Sequence, residues 1–324
     1  MISVSEAQPR TGGRGVNGRP RKGGAFPHIG RRSRIRNMSQ SLSYFTETRR
    51  DNRPHVRGRA VSRNPRRQDL ELKLAALQKD YAELHTAIFE AAQVHRRLCA
   101  PRQLRYADFE IASEIFAVRH LPGDFFTVEE TSDGVILALG DICGKGLAAG
   151  MWTTHLVGLV RAHTARTSST EEIVSAVNRD ICLMPLVRPL ASLFLANLNP
   201  DTGELDYCSA GHPPAFLLRA NGKLESLTDG GLLLGAIEDA KYARGSLQLN
   251  SGDVLLVYSD GIIESRNQNA EEFSYARLES QLRSAQTESA DAVLFSVLGA
   301  VQDFAATRPL EDDMSLVVVR RAAD

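Results

Sequence analysis

One seven-residue stretch, residues 140–146 with the sequence GDICGKG, constrains the fold of this chain more than any other. It follows an apolar run at residues 135–139 that predicts a buried strand, and it leads into residues 147–151, which predict the start of a helix. The glycines on both sides of Asp141 allow a sharp turn and a close approach of the backbone to a ligand. The stretch therefore places one carboxylate, Asp141, where a buried strand ends.

The same arrangement recurs at three other places in the chain. At each of them an acidic residue stands where a predicted strand meets a tight turn, and glycine flanks two of these acids. The further positions are Asp124 beside Gly123, Asp260 beside Gly261, and Asp312 or Asp313 before the last predicted strand.

Carboxylates that crowd at the edge of a sheet repel one another unless a cation lies among them. Hard divalent cations such as Mg²⁺ and Mn²⁺ prefer ligands that are all oxygen atoms. Two such ions can share one bridging carboxylate and activate a water for attack on a phosphoester. The set of acidic positions therefore predicts two divalent cations and a phosphoester-hydrolysing site.

The charge of the chain is distributed unevenly. The whole sequence of 324 residues has a net charge of +0, but residues 1–67 hold 17 basic and 3 acidic residues. This Arg-rich segment has few apolar residues, so we expect a disordered tail. One interpretation is a segment that binds anionic surfaces or nucleic acid through its arginines. The alternatives are a solvated tail without a binding role, or a start codon assigned too far upstream, with Met38 as the true initiator. We expect no nucleic-acid binding beyond this tail.

Cysteine content and hydropathy bear on the compartment. The four cysteines are far apart and form no Cys-x-x-Cys pair, which fits a reduced, cytoplasmic environment. No apolar run approaches the roughly 20 residues that a membrane helix needs, and the N-terminus lacks the apolar segment of a secretory signal. The sequence predicts a soluble cytoplasmic protein without a membrane partner.

Residues 68–100 predict a long helix with a single apolar stripe. The stripe comprises residues 70, 74, 77, 81, 84, 88, 91, 95 and 98, at alternating steps of four and three. This spacing is typical of a coiled coil, and we expect a homodimer through residues 70–98. The alternative is an amphipathic helix that packs on its own domain. The chain as a whole is 43% hydrophobic, and residues 101–324 are long enough for one catalytic domain.

Within residues 101–324 strand and helix patterns alternate. The Asn221-Gly222 pair between two apolar runs predicts a hairpin. Predicted strands cover residues 106–118, 191–197, 215–219, 223–227, 254–258 and 316–319, and predicted helices cover about 146–166, 170–184, 275–285 and 288–306, with Thr170 as a cap.

Five motifs occur in an order that resembles the bacterial PPM-type serine/threonine phosphatases, in their SpoIIE/RsbU-like branch. They are LPGDFF at 121–126, GDICGKG at 140–146, AGHPP at 210–214, YSDGIIE at 258–264 and DDMS at 312–315. The resemblance covers about residues 90–321. It implies an α+β fold, a four-layer α-β-β-α sandwich, with two Mn²⁺ or Mg²⁺ ions at one end of the paired sheets.

The resemblance also implies roles for individual positions. Asp141 resembles the carboxylate that bridges both metals and positions the attacking water. The backbone carbonyl of Ile142 and the side chains of Asp124, Asp260 and Asp312 resemble further metal ligands. Asp313 stands where many relatives have Asn, and it ranks below Asp312 as a ligand. Residues expected to shape the surrounding loops are Gly123, Gly261, His212 and Glu264.

The implied activity is hydrolysis of phosphoserine or phosphothreonine by metal-activated water, without a covalent intermediate. The implied substrate is a phosphorylated protein, typically a small STAS-type anti-anti-sigma factor in a bacterial partner-switching pathway. Two departures from the family pattern stand out: Thr127 replaces a second Asp, and Cys143 replaces a common Ser. The alternative function is a catalytically dead scaffold that binds a phosphoprotein.

Overall fold

The computed structural model describes residues 65–98, 101–119, 121–185 and 188–322. The chain divides into two compact units, Met1–Ser62 and Arg63–Asp324, and all described residues belong to the second unit. The predicted tail at residues 1–67 therefore falls almost entirely outside the described residues. In the described part, no helix combines the length and the apolar character needed to cross a membrane.

Nearly continuous apolar runs, buried on both faces, form the central strands of two mainly antiparallel sheets that pack face to face. In chain order the strands are β1 (Gln103–Tyr106), β2 (Phe109–Phe116), β3 (Phe125–Glu130), β4 (Val135–Ile142), β5 (Ala191–Leu198), β6 (Glu204–Ala210), β7 (Ala215–Leu218), β8 (Leu224–Leu227), β9 (Gly230–Gly231), β10 (Gly245–Gln248), β11 (Val254–Tyr258) and β12 (Met314–Arg321). Among the described residues, one sheet has the order β1-β2-β12-β11-β7-β8, and the other has the order β10-β6-β5-β4-β3, with β9 parallel to β6.

Helices cover the outer faces of both sheets. They are α1 (Pro65–Leu98), α2 (Leu147–Thr164), α3 (Thr170–Cys182), α4 (Asp260–Ile263), α5 (Ser274–Ser284) and α6 (Ala290–Ala305). One apolar cluster joins α5 and α6 to the β2-β12-β11 sheet, a second fills the space between the sheets, and a third joins α2 and α3 to the β4-β5 sheet. These clusters make four layers, so the predicted α-β-β-α sandwich is confirmed.

Two local predictions were wrong in detail. The strand predicted at residues 106–118 is present as β2 over the shorter range Phe109–Phe116, whereas β1 and the turn before β2, which holds Ala107 at φ 47°, were not predicted. The turn was missed because it contains no glycine. The helix predicted to be capped by Thr170 is preceded by Ser169 as its N-cap, and Thr170 is its first residue. The predicted Asn-Gly hairpin is confirmed, because β7 and β8 pair across Gly222 at φ 83°.

Helix α1 is held to the domain at its C-terminal end. Ala92 and His95 are buried there, and the Arg161 guanidinium of α2 donates a hydrogen bond to the Leu98 carbonyl at 3.0 Å. The apolar stripe further towards the N-terminus is exposed to solvent. The predicted helix is therefore present, and the predicted pairing of two such helices stays a prediction.

Candidate active site

The four acidic positions meet at one end of the sandwich. Asp124 immediately precedes β3 and Asp141 lies near the end of β4, and these two strands pair with Phe125 opposite Gly140. This register puts Asp124 across from Asp141. From the other sheet, Asp260 follows β11 at the start of α4, and Asp312 precedes β12. Both Asp260 and Asp312 interact electrostatically with Asp141, so both sheets contribute to one acidic site.

Asp124 and Asp141 form a buried carboxyl pair. Asp124 is only 1% exposed, and the two side chains share a hydrogen bond. Burial raises the pKa of both groups, and the charge of Asp124 raises the pKa of Asp141 further. The shared hydrogen bond raises the pKa of Asp141 and lowers that of Asp124. Such a pair resists full ionisation until a positive charge joins it.

Two serines support Asp124 from the opposite sheet. The Ser315 hydroxyl on β12 donates a hydrogen bond to Asp124 Oδ2, and the Ser259 side chain also hydrogen-bonds to Asp124. Each of these bonds lowers the pKa of Asp124 because it stabilises the carboxylate. Because Ser259 and Ser315 belong to the β11 and β12 sheet, Asp124 is fixed in position by both layers.

Asp260 and Asp312 lie together on the β11 and β12 side. Burial raises the pKa of Asp260, and the charge of Asp312 raises it further. The backbone at Gly261 approaches the neighbouring segment closely, since a Cβ atom there would lie 2.0 Å from the Asp313 carbonyl oxygen. Only glycine fits this contact, which explains the Asp-Gly pair at the start of α4.

Gly123 and the Ile142 carbonyl lie beside Asp141. A Cβ atom at Gly123 would come within 3.1 Å of Asp141 Oδ1 and 3.2 Å of the Ile142 carbonyl oxygen. The Ile142 amide also donates a hydrogen bond to the Gly123 carbonyl at 3.3 Å. The structure thus brings together the side chain and the backbone oxygen that were predicted as neighbouring ligands, with space for them because residue 123 has no side chain.

Asp313 is engaged by the backbone of a loop. Its Oδ1 accepts a hydrogen bond from the Val118 amide at 2.7 Å, and its Oδ2 accepts one from the Gly123 amide at 2.8 Å. Both oxygens therefore hold the segment that leads to Asp124. This geometry favours Asp313 as an anchor for the loop over Asp313 as a metal ligand.

A lysine of the GDICGKG turn contacts the fourth acidic position. Lys145 Nζ lies 2.6 Å from Asp312 Oδ2 and donates a hydrogen bond to the Glu311 carbonyl at 2.7 Å. Among the residues that the structure describes, no group of three or more His, Cys, Asp or Glu side chains is arranged to hold a metal ion. Because its ammonium lies 2.6 Å from Asp312 Oδ2, Lys145 is the positively charged partner of the Asp312 carboxylate.

The two remaining predicted positions lie on either side of the acidic site. His212 is buried, and its Nδ1 forms a 2.8 Å hydrogen bond with the Ser192 hydroxyl. Ser192 pairs with Asp141 across β4 and β5. Burial lowers the pKa of His212 to about 3, so its imidazole is neutral. Glu264 ends α4 in an exposed position, and its pKa is raised by partial burial and by the charge of Asp260.

The donor set fits divalent cations. The converging groups are carboxylates and a backbone carbonyl, which are the ligands that Mn²⁺ and Mg²⁺ prefer. Burial, followed by the charge of neighbouring carboxylates, raises the pKa of Asp124, Asp141 and Asp260, and a cation bound among them would oppose both effects. The residues that would hold the cations are Asp141, Asp124, Asp260, Asp312 and the carbonyl of Ile142.

Sequence reasoning missed several supporting residues. Ser259, Ser315 and Ser192 each contact a predicted site residue, and Lys145 was interpreted only as part of the start of a helix. Ser259 and Ser315 lie within the acidic motifs YSDGIIE and DDMS, which is a signal that could have been used. The Lys145 contact joins residues 167 positions apart, and no local pattern indicates it.

The comparison with protein families decides the classification. Residues 131–322, more than half of the chain, match the family model described as Stage II sporulation protein E (SpoIIE). This chain belongs to the SpoIIE family. The match includes Asp141, Asp260 and Asp312, and the predicted resemblance to the SpoIIE branch of PPM-type phosphatases is confirmed.

One curated relative of this SpoIIE-family chain covers most of its length. The phosphoserine phosphatase RsbU of Bacillus subtilis (strain 168) is 26% identical over 243 residues, which is 74% of this chain and 71% of RsbU. The alignment is longer than the SpoIIE match, so it includes sequence beyond residues 131–322.

Two solved structures show that the SpoIIE-family chain has the PP2C fold. The SiaA-PP2C domain of Pseudomonas aeruginosa matches with a TM-score of 0.65 and 15% identity, over 76% of this chain and 99% of that domain. The catalytic domain of the serine threonine protein phosphatase PstP, solved with 2 manganese ions, matches with a TM-score of 0.50 and 18% identity, over 66% of this chain and 98% of that domain. At these identities the likeness concerns the fold.

Proposed function

We propose that this chain is a phosphoprotein phosphatase that hydrolyses phosphoserine or phosphothreonine with the help of two divalent cations, Mn²⁺ or Mg²⁺. The observation that carries the proposal is the meeting of Asp124 and Asp141 from one sheet with Asp260 and Asp312 from the other. Membership of the SpoIIE family and the similarity to the phosphoserine phosphatase RsbU support it.

In this proposal the aspartates bind the cations, and neighbouring residues fix the positions of the aspartates. Asp141 and Asp124 form the buried centre, and Ser315 and Ser259 keep Asp124 aligned. Asp313 anchors the loop that carries Gly123, so that Asp124 stays opposite Asp141. When bound, the cations would supply Lewis acidity that activates a water and neutralises the phosphoryl oxygens. A nucleophilic side chain is not required in this scheme.

The proposal predicts cation-dependent activity that depends on Asp141. Purified protein should hydrolyse p-nitrophenyl phosphate and a phosphoserine peptide in the presence of Mn²⁺. Asp141→Ala should lower the rate at least about 100-fold, as expected when a group that stabilises the transition state is removed. Asp201→Ala is the matched control, because Asp201 is an exposed carboxylate in the turn between β5 and β6.

The opposite outcome favours a different function. A wild-type protein that is folded yet hydrolyses neither substrate at high Mn²⁺ concentration would favour the catalytically inactive scaffold that binds a phosphoprotein partner. Circular dichroism and a thermal melt of both variants would separate loss of activity from loss of fold.

We infer that the physiological substrate is a phosphorylated STAS-type anti-anti-sigma factor in a partner-switching pathway. The support is the five-motif resemblance of the sequence to the SpoIIE/RsbU-like branch, together with the similarity to RsbU. In cells that carry Asp141→Ala, a phosphoserine or phosphothreonine on a STAS protein should accumulate relative to cells with the wild type. A phosphoproteome in which only proteins of other classes change would contradict this substrate.

A further inference from the structure

Lys145 is placed by its turn so that it reaches across the two sheets. It follows β4 between Gly144 at φ 140° and Gly146 at φ 81°, in the sheet that carries Asp141. Its ammonium nevertheless contacts the Asp312 carboxylate, which precedes β12 in the other sheet, at 2.6 Å. The same ammonium donates to the Glu311 carbonyl, so two acceptors of one segment hold it.

The ion pair occupies an oxygen that a cation would need. Asp312 Oδ2 is the atom in contact with Lys145 Nζ, and Asp312 is one of the carboxylates that would hold the second cation. A divalent ion that binds through this oxygen therefore has to displace Lys145 or share the carboxylate with a positive charge. In either case Lys145 lowers the affinity of the Asp312 carboxylate for a divalent ion.

Displacement of Lys145 is physically easy. The side chains of Lys145 and Asp312 are 45% and 44% exposed, and ion pairs of such exposure contribute little net free energy. Lys145 also lines a cavity of about 220 Å³ together with Glu264 and Arg266. The exposed carboxylate of Glu264 offers the released ammonium another partner within this cavity.

We propose that Lys145 is a tethered cation that competes with a divalent ion for Asp312 and thereby sets the affinity of the second cation position. The proposal rests on the cation requirement of the proposed phosphatase function. In the absence of divalent ions Lys145 stabilises the charge of Asp312, and at sufficient ion concentration it is exchanged. The cation concentration needed for phosphatase activity would then depend on Lys145.

The test measures binding and does not depend on catalysis. Mn²⁺ is titrated into the full-length protein, and free Mn²⁺ is followed by electron paramagnetic resonance. Lys145→Met should tighten the weaker Mn²⁺ site by about threefold to fivefold, the equivalent of one partly exposed ion pair. Lys145→Arg keeps the charge and should stay close to the wild type. Lys223→Met is the matched control, because Lys223 forms an exposed ion pair with Glu225 away from the acidic site.

A second measurement separates competition from a structural role. In an Asp312→Asn background, Lys145→Met should no longer tighten Mn²⁺ binding, because the contested carboxylate is gone. If Lys145 is instead a clasp between the sheets, Lys145→Met weakens Mn²⁺ binding and lowers the melting temperature in both backgrounds. Unchanged or weaker binding in the single variant overturns the proposal.

Failure of this inference and failure of the proposed function give different results. Tighter Mn²⁺ binding in Lys145→Met without any hydrolysis by either protein would retain the competition and reject the phosphatase. Hydrolysis with equal Mn²⁺ affinity in both proteins would retain the phosphatase and reject the competition.

Discussion

At the scale of single residues, the two neighbouring aspartates before β12 contact different partners. Asp312 contacts the Lys145 ammonium, whereas Asp313 accepts hydrogen bonds from the amides of Val118 and Gly123. The sequence ranked both as metal ligands because adjacent carboxylates look alike in a motif. The two residues lie in a bend before β12, where Asp312 Oδ1 also accepts a hydrogen bond from the Asp313 amide at 3.0 Å, and their side chains point to different neighbours.

Substitution of Asp313 distinguishes an anchor from a ligand. Asp313→Ala removes both hydrogen bonds and should cost about 1.5–3 kcal/mol of folding free energy for each bond to the charged group. Asp313→Asn keeps one acceptor oxygen and should cost about half as much. Denaturant unfolding measures both values.

The Mn²⁺ affinity of the same variants completes this comparison. Asp313→Asn should weaken Mn²⁺ binding less than Asp312→Asn, because only Asp312 offers an oxygen to the ion in this scheme. Equal losses of affinity in the two variants would restore Asp313 to the ligand set.

Residue-level prediction from the sequence succeeded where chemistry is local. The grouping of Asp124, Asp141 and Asp260 followed from acids at strand ends beside glycine, and the structure brings them together. The Lys145 contact with Asp312 and the Ser315 bond to Asp124 join residues that are 167 and 191 positions apart. Such contacts depend on how the two sheets stack, and the periodicity of a single strand holds no information about stacking.

At the scale of elements, α1 differs from the other helices because part of it packs and part does not. Ala92 and His95 near its end are buried, whereas Leu70, Leu74, Leu77, Tyr81 and Leu84 are 56% to 68% exposed. An exposed apolar stripe at heptad spacing is typical of a helix that pairs with another helix. We therefore retain the proposal of a homodimer through residues 70–98.

The dimer proposal predicts a specific effect of charge on the stripe. Leu77→Glu combined with Leu84→Glu should convert a dimer to a monomer in light scattering, since carboxylates at seam positions oppose pairing. The melting temperature of the sandwich should stay unchanged because both side chains are exposed. Leu72→Glu is the matched control, as Leu72 is 72% exposed but lies off the stripe. A wild-type protein that is monomeric would contradict the proposal.

Prediction of elements was accurate for long patterns and poor for short ones. The helices α2, α3, α5 and α6 and the strand β11 lie close to their predicted bounds. The two-residue turn at Ala107 and the short strand β10 were missed. Four-residue strands without a turn signal such as the Asn221-Gly222 pair between β7 and β8 have too few residues to show alternation, and their pairing partners decide whether they form.

At the scale of the whole molecule, the acidic site opposes the stability of the fold. Asp141 has a pKa raised above its ordinary value of 3.8 by burial and by neighbouring carboxylates. Its protonated form is therefore favoured in the folded state, and this stabilisation is present at low pH and lost as the pH rises towards the folded pKa. By pH 8, which lies between the ordinary value and the folded pKa of about 9, the metal-free protein has lost most of this stabilisation, which is the usual trade between activity and stability at an active site.

Removal of this charge should stabilise the metal-free protein in a manner that depends on pH. With a chelator present, Asp141→Asn should raise the free energy of unfolding at pH 8 by at least about 1.4 kcal/mol, the equivalent of one unit of pKa. The gain should shrink towards pH 4, where the Asp141 carboxyl is protonated in the unfolded chain as well as in the folded protein. Thermal melts between pH 5 and pH 8 measure the difference.

Two further observations make the pH experiment specific. The buried imidazole of His212, whose pKa is lowered to about 3, loses its contribution as the pH falls below 6.5, but it does so equally in both proteins. Asp239→Asn, at an exposed loop position, should show no gain at any pH. A gain that is constant across the pH range would contradict the electrostatic origin.

The position of β12 has a consequence for how the protein is made. This last strand lies between β2 and β11, and residues beside it supply Asp312, the anchor Asp313 and the Ser315 hydroxyl that holds Asp124. Domains begin to fold while the ribosome is still adding residues. In this chain the centre of the acid cluster is synthesised early, but its alignment waits for the last strand to emerge. A product of interrupted translation that ends before residue 312 thus lacks Asp312, Asp313 and Ser315, and the acidic site becomes aligned only after β12 has been synthesised.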